Sequence, residues 1–235
     1  MNTTHSNLRS AGSRGRTEID WLDSHHSFSF GGYYDPGRTR VGPLRVLNDD
    51  RVAPGKGFGA HPHRDAEIIS YALSGALEHR DSMGNGSVIR AGQFQYMSAG
   101  RGVTHSEFNP SPDEAAHFLQ IWLLPNETGA VPTYSQADVK DIPVNDGLQL
   151  VASGDQDSPI RWRADAELYR AFASAGATIT LPQNRSQGYL HVTKGVVEVD
   201  GQRLTPGDAL VINSDQTGSV AVVESSEFLW FDLSE

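Results

Sequence analysis

Residues 67–97 read EIISYALSGALEHRDSMGNGSVIRAGQFQYM. Short runs rich in Ile, Leu, Val, Tyr and Phe are separated there by Gly75, by Gly84-Asn85-Gly86 and by Ala91-Gly92. β-Branched and aromatic side chains suit a pleated, half-buried surface. Gly and Asn accept the positive φ that tight hairpins demand. The stretch predicts strands over 67–73, 76–80, 87–90 and 94–97. Outward from it the texture continues, with strands expected at 44–47, 103–107 and 117–124. Ser111-Pro112-Asp113-Glu114 offers capping chemistry for no more than a short turn.

Residues 125–148 are rich in Pro, Gly and polar side chains and read as a connection. A second β series follows at 167–172, 178–181, 188–192, 196–199, 209–212, 220–223 and 228–231, with hairpin chemistry at Asp200-Gly201 and Pro206-Gly207-Asp208. Many short strands at regular spacing, without intervening helical periodicity, predict an all-β chain of two stacked barrels rather than βαβ units. The division is expected at 1–135 and 136–235.

The chain has 235 residues, no Cys, 19 Lys and Arg against 29 Asp and Glu, and a net charge of −10. Without thiols there is no Cys nucleophile, iron–sulfur cluster or Cys-held zinc, so any metal must sit among His, Asp and Glu. The acidity argues against direct nucleic-acid binding, which needs many cations facing phosphates. No run of about 20 apolar residues exists to span a membrane. The start of the chain, MNTTHSNLRSAGSRGRTEID, lacks a secretory apolar core. A soluble, cytoplasmic protein, acting as a monomer, is the expectation. Residues 1–16, which carry Arg9, Arg14 and Arg16, read as a loose or edge-strand terminus.

His61-Pro62-His63 places two imidazoles at i and i+2, which emerge on one face of an extended strand. His105-Ser106-Glu107 repeats the spacing with an imidazole and a carboxylate. The 41 residues between His63 and His105 allow several strands before the chain returns alongside the first pair. Two facing strands of this kind would make a site of three imidazoles and one carboxylate, suited to iron, zinc, copper, nickel or manganese. Gly55, Gly57 and Gly59 precede one pair, and Gly100 and Gly102 the other. Close backbone approach and plain loop flexibility both account for them.

The run from Gly57 to Glu67, GFGAHPHRDAE, resembles the first cupin motif as it occurs in the pirin family, and QYMSAGRGVTHSE at 95–107 resembles the second. His79-Arg80-Asp81-Ser82-Met83-Gly84-Asn85 matches a further signature of that family. Trp21-Leu22-Asp23-Ser24, residues 28–35 and Leu44-Arg45-Val46-Leu47-Asn48-Asp49-Asp50 resemble its amino-terminal segment. The likeness covers nearly all of the first half, and the second half matches more loosely as a degenerate cupin.

The resemblance implies a bicupin, built on the double-stranded β-helix, with one divalent metal in its amino-terminal barrel. The ion would be Fe(II), with Ni, Cu, Mn, Co or Zn as alternatives, held by His61, His63, His105 and Glu107. Bacterial members are similar to quercetin 2,3-dioxygenases, which open a flavonol with O2 and release carbon monoxide. The implied partners are thus a small flavonol-like substrate and O2. Many cupins draw their ligand carboxylate from the first motif, the place of Glu67; the shared strand face with His105 favours Glu107. Either carboxylate is a candidate base for the flavonol 3-hydroxyl. Phe58 is a candidate for clasping a flat ring, whereas Trp122 reads as barrel core. His79 and His117 suit either a role in orienting ligand imidazoles or a solvent-facing position, and stand outside the candidate site. A metal-binding, redox-sensing regulator that contacts a protein partner is the alternative function. Seed-storage and sugar-isomerase cupins are a weaker match, since their motifs differ. His191, without a partner at i±2, reads as a packed residue, and no metal is expected in the second barrel.

Overall fold

Extended segments dominate the computed structural model, which describes residues 7–213 and 218–235. Its helical elements among the described residues are two short 3-10 turns, Ala11–Ser13 and Val139–Asp141. No helix among them is long and apolar enough to cross a membrane. Residues 1–6 of the amino-terminal segment lie outside the described residues.

The first barrel is built from two sheets. A seven-stranded sheet runs in the order Thr133–Asp138, Gln93–Ser98, Glu67–Ser74, Ala116–Leu123, Leu44–Val52, Leu22–His26, Gly15–Ile19. A four-stranded sheet runs Gly57–His63, Val103–Phe108, Ala76–Asp81, Gly86–Arg90. The second barrel is a nine-stranded sheet whose long members are Gln187–Val199 and Ser219–Leu233. Leu8–Arg9 crosses over to pair with Ala209–Asn213 of that sheet, so this short segment is an edge strand of the far barrel.

Three findings alter the sequence reading. The strand expected at 44–47 continues to Val52, because Asn48 and Asp50 find polar partners inside the barrel and Asp49 finds them outside. The polar segments Gly15–Ile19 and Leu22–His26, unassigned from sequence, extend the sheet beyond it. Within the supposed connection 125–148, Thr133–Asp138 pairs along its whole length with Gln93–Ser98, so residue 135 falls inside a strand of the first barrel.

Side chains alternate in direction along each strand, and the outward set of the large sheet faces the second barrel. Ile69, Tyr71, Phe94, Tyr96, Leu119 and Ile121 share one buried cluster with Val151, Ile160, Trp162, Leu168 and Phe231. Full burial of each large apolar side chain contributes about 1.5–3 kcal/mol. Within this face sits a polar node. Tyr71 Oη donates to Glu227 Oε1 at 2.6 Å, and Arg170 reaches Tyr71 Oη, Gln149 Oε1 and Glu227 Oε2 at 2.8–2.9 Å. Glu227 is 2% exposed. A charge buried this deeply must be paired, and removal of its partner strands it. Arg170→Ala is therefore expected to cost roughly 3 kcal/mol of unfolding free energy, read from the urea midpoint. An unchanged midpoint would show that the node contributes nothing.

Candidate metal centre

Gly57–His63 and Val103–Phe108 are antiparallel neighbours, with His105 opposite His61 and a register shift before Glu107, which faces Phe58. Gly57 makes the approach possible. A Cβ there would lie 2.2 Å from the carbonyl oxygen of Glu107 and 2.5 Å from Phe108 Cα. At Gly59 a Cβ would meet nothing within 4 Å, so only the first of these glycines is demanded by packing.

The pairing brings three of the expected residues together. The rings of His61, His63 and His105 have centroids 4.5–4.9 Å apart. One nitrogen from each lies within 4.8 Å of the others. Glu107 falls in an overlapping set with His105 and His79, also within 4.8 Å. His105 joins the two sets.

Hydrogen bonds fix which ring nitrogens are free. His61 Nδ1–H donates to the Gly59 carbonyl at 2.7 Å, which leaves Nε2 with its lone pair. His79 Nε2–H donates to Asp81 Oδ2 at 3.1 Å, so His79 Nδ1 is an acceptor. His105 Nδ1 lies 3.3 Å from it and supplies a proton, with Gln95 Nε2 at 3.2 Å sharing the same acceptor. His105 Nε2 is then a bare lone pair, buried and without a hydrogen-bond partner among the described residues. A buried polar atom left unpaired costs about 1–3 kcal/mol, and a cation placed among these nitrogens would remove that cost. Asp81, His79 and His105 thus form a chain that holds the imidazole in its ligating tautomer. His79, set aside from sequence, belongs to the site; His117 does not, because it faces Asp49 at 2.7 Å on the other side of the sheet.

Glu107, 1% exposed, is held by Ser70 Oγ at 2.9 Å and Gln95 Nε2 at 3.4 Å on Oε1, and by Gln120 Nε2 at 2.6 Å on Oε2. Glu67 is not brought to the cluster. Three residues before Ser70, it points to the opposite face of their strand, where Tyr96 and Ser98 hydroxyls and the Arg163 backbone N–H occupy its carboxylate. His191 is buried in the second barrel, opposite Ala209 and Leu229.

A cavity of about 380 Å³ opens beside the cluster, lined by His61, His63, Glu107, Phe58, Phe30 and Trp122 among others. Phe58 stacks edge-on against Trp21 at 5.3 Å. Trp122, expected as core, stands nearly perpendicular to His63 at 4.8 Å and to Phe30 at 5.5 Å, so it walls the cavity while touching the core behind. The far wall is polar: Ser24, His26, Asn48 and Asp50. Sequence reading missed these, though Asn48 and Asp50 lie in a quoted motif with the parity of an inward face.

Burial, with repulsion from the neighbouring His105 and His61, lowers the His63 pKa to about 4; burial, with His61 and His79, lowers that of His105 to about 3. Both rings are neutral at pH 7, as ligands must be. Burial likewise lowers His191 to about 4. Asp50 moves the other way: burial, with Asp49 and Glu107 nearby, pushes it up to about 7 against the pull of the Ser24 hydroxyl.

Family models match the chain in two places, a pirin model over residues 7–123 and a quercetinase C-terminal cupin domain over residues 150–233. A quercetin 2,3-dioxygenase of Escherichia coli K12 is 43% identical over 228 residues, covering 96% of this chain and 97% of that protein. The crystal structure of the E. coli bacterial pirin YhhW in complex with nickel(II) superposes with a TM-score of 0.89 at 42% identity, over 96% of this chain and 97% of its own. A quercetin 2,3-dioxygenase of Acinetobacter baumannii superposes with a TM-score of 0.74 at 25% identity, over 92% and 82%.

The shifted imidazoles set the acid response of the metal-free protein. An ordinary His titrates near 6.5, so below about that pH the unfolded chain takes up protons that native His63, His105 and His191 refuse. Their contribution to stability is full above about 6.5 and declines toward about 4. Asp50, raised in the native state, opposes this by gaining as the pH falls. Burial also lowers His25 and His26, which adds to the loss, and raises Asp232, which opposes it with Asp50; the lowered imidazoles outnumber the raised acids and leave a net loss on acidification. Urea midpoints of metal-free protein at about pH 7.5, 6 and 5 should fall in that order, with a shallower slope in His191→Gln. Midpoints that rise toward pH 5 would contradict the assignment.

Proposed function

The chain belongs to the pirin family, and from that premise we propose that it is a metal-dependent dioxygenase that cleaves flavonols such as quercetin with O2 and releases carbon monoxide. The observation that carries this reading is the buried, unpartnered Nε2 of His105 beside two further imidazoles at the end of an aromatic-walled cavity. We assign one divalent ion, iron(II), to His61, His63, His105 and Glu107; nitrogen and oxygen donors of this set suit a first-row metal, and the E. coli relative holds nickel(II). When bound, the ion would supply Lewis acidity and a template for substrate and O2. We assign it to the amino-terminal barrel and read the second barrel as the degenerate partner that backs the large sheet.

The protein's own residues do the rest. Asp81 and His79 hold the His105 tautomer, and Gln120, Ser70 and Gln95 keep Glu107 in place by donating to it. Phe58, Phe30 and Trp122 present ring faces and edges that clasp a flat aromatic ligand and exclude water from it. The cavity's size is that of a small-molecule site. Glu67, on the opposite sheet face, takes no part in this reading.

Metal-loaded protein should bleach the long-wavelength absorbance of quercetin in air and leave it intact without O2. His105→Ala should lose both bound metal, by elemental analysis, and turnover. Full metal occupancy with no turnover of any flavonol would overturn the enzymatic reading. A second measurement tests the ligand set. Glu107→Gln should weaken metal affinity more than Glu67→Gln does, and His79→Ala should weaken it roughly 10- to 100-fold, all by competition with a chelating dye. The reverse order for the two glutamates would move the carboxylate assignment to Glu67.

A further inference from the structure

The flavonol reading needs a group to take the proton from the substrate's 3-hydroxyl, and neither glutamate considered from sequence is free for it. Glu67 faces away, with its oxygens occupied by Tyr96, Ser98 and the Arg163 N–H. Glu107 already accepts from Ser70, Gln95 and Gln120 on its two oxygens, and it carries the ligand role besides. A third carboxylate shares the same cavity. Asp50 comes from the second half of Leu44–Val52 and is 3% exposed, yet it lines the cavity together with His61, His63, Phe30 and Trp122.

A chain of hydrogen bonds holds it. Ser24 Oγ donates to Asp50 Oδ1. His26 Nδ1 faces the Asn48 side-chain carbonyl at 2.9 Å and Ser24 Oγ at 3.4 Å, while its Nε2 meets Thr17 Oγ1 at 2.9 Å. A carbonyl oxygen only accepts, so the ring's proton sits on Nδ1 and Ser24 is left to turn its own proton toward Asp50. Among the described residues no other side chain donates to Asp50. One carboxylate oxygen therefore has a fixed donor, and the other has capacity for a ligand.

We propose that Asp50, oriented by Ser24 and His26, is the catalytic base that takes the hydroxyl proton of a flavonol-type ligand in this cavity. The inference rests on the flavonol reading above. The substrate O–H bond breaks, its electron pair stays on the substrate oxygen, and the proton forms the neutral acid of Asp50. After ring opening Asp50 returns that proton to an oxygen of the product and ends as it began. The nearest acids are Asp49, on the outer face, and Glu107, and both disfavour a second negative charge here. A carboxyl raised toward neutrality is matched to this task. A carboxylate beside an enclosed aromatic pocket also recognises the acidic hydroxyl of an enol or phenol better than an uncharged ketone.

The test uses iron(II)-loaded protein and quercetin without O2, so that binding is seen without turnover. Neutral and ionised quercetin absorb at different wavelengths, and the bound spectrum reports which form is present. Wild type should bind quercetin ionised near neutral pH. Asp50→Asn should keep its metal but bind quercetin neutral, with an ionisation midpoint higher by about 1 pH unit or more. On admission of O2 its single-turnover rate should fall roughly 100-fold. Should Asp50→Asn fail to fold, Asp50→Ser gives the same spectral readout. Equal midpoints in wild type and variant would overturn the role of Asp50 and leave the flavonol reading standing. A wild type that binds no flavonol at all would overturn both.

Discussion

Side chains on an extended strand point alternately to its two faces, and in the first barrel this parity separates polar groups that are adjacent in sequence. Asn48 and Asp50 face the cavity while Asp49 between them meets Arg14 and His117 outside. Ser70 and Gln120 reach Glu107 inside, whereas Glu67, Tyr71 and Tyr96 serve the contact with the second barrel. A slip of one residue in Glu67–Ser74 would exchange these sets and bury the wrong carboxylate among the imidazoles. The site therefore exists only in one register. Tyr71, Glu227 and Arg170 help to hold that register, since their hydrogen bonds tie the outward face to a fixed partner.

The inward set is costly to bury. Imidazoles crowded within 5 Å cannot all carry charge, and Glu107 and Asp50 repel each other across one cavity. The structure meets the second problem with donors: Gln120, Gln95 and Ser70 on one acid, Ser24 on the other. It meets the first by neutrality, with the ring protons of His61 and His105 engaged by Gly59 and His79. Neutral rings whose remaining lone pairs converge gain little from one another and much from a cation. The same crowding that opposes protons thus favours a metal.

Much of this was readable beforehand. Strands with apolar alternation, such as Glu67–Ser74 and Gln93–Ser98, carry their own signal, and so do two pairs spaced i and i+2. What escaped depends on partners distant in sequence. Thr133–Asp138 is a polar edge strand whose identity comes from Gln93–Ser98, and the polar hairpin of Gly15–Ile19 and Leu22–His26 joins the sheet only through Leu44–Val52. His79 looked like any lone histidine until Val103–Phe108 was laid beside Ala76–Asp81, with Glu107 opposite it. Asp50 escaped because a carboxylate in a polar run reads as solvent-facing, and only the extension of its strand to Val52 turns it inward.

The two barrels share an architecture, and the difference between their interiors lies in what fills them. In the second, Leu190, Val192, Val197, Leu210, Ile212, Phe228 and Trp230 form one apolar cluster. Trp230 lies so close over Gly188 that a Cβ there would fall 1.8 Å from its ring. Its Nε1–H is spent on the Pro182 carbonyl at 2.8 Å. Where the first barrel lines its cavity with imidazoles, carboxylates and donors, the second sets an indole among aliphatic side chains. Placed against the outward face of Glu67–Ser74 and Gln93–Ser98, the second barrel buries that face in one shared apolar cluster. The inward residues of the same strands, Ser70 and Gln95, are the ones that position Glu107. The second barrel thus contributes to the candidate site through the sheet it packs against.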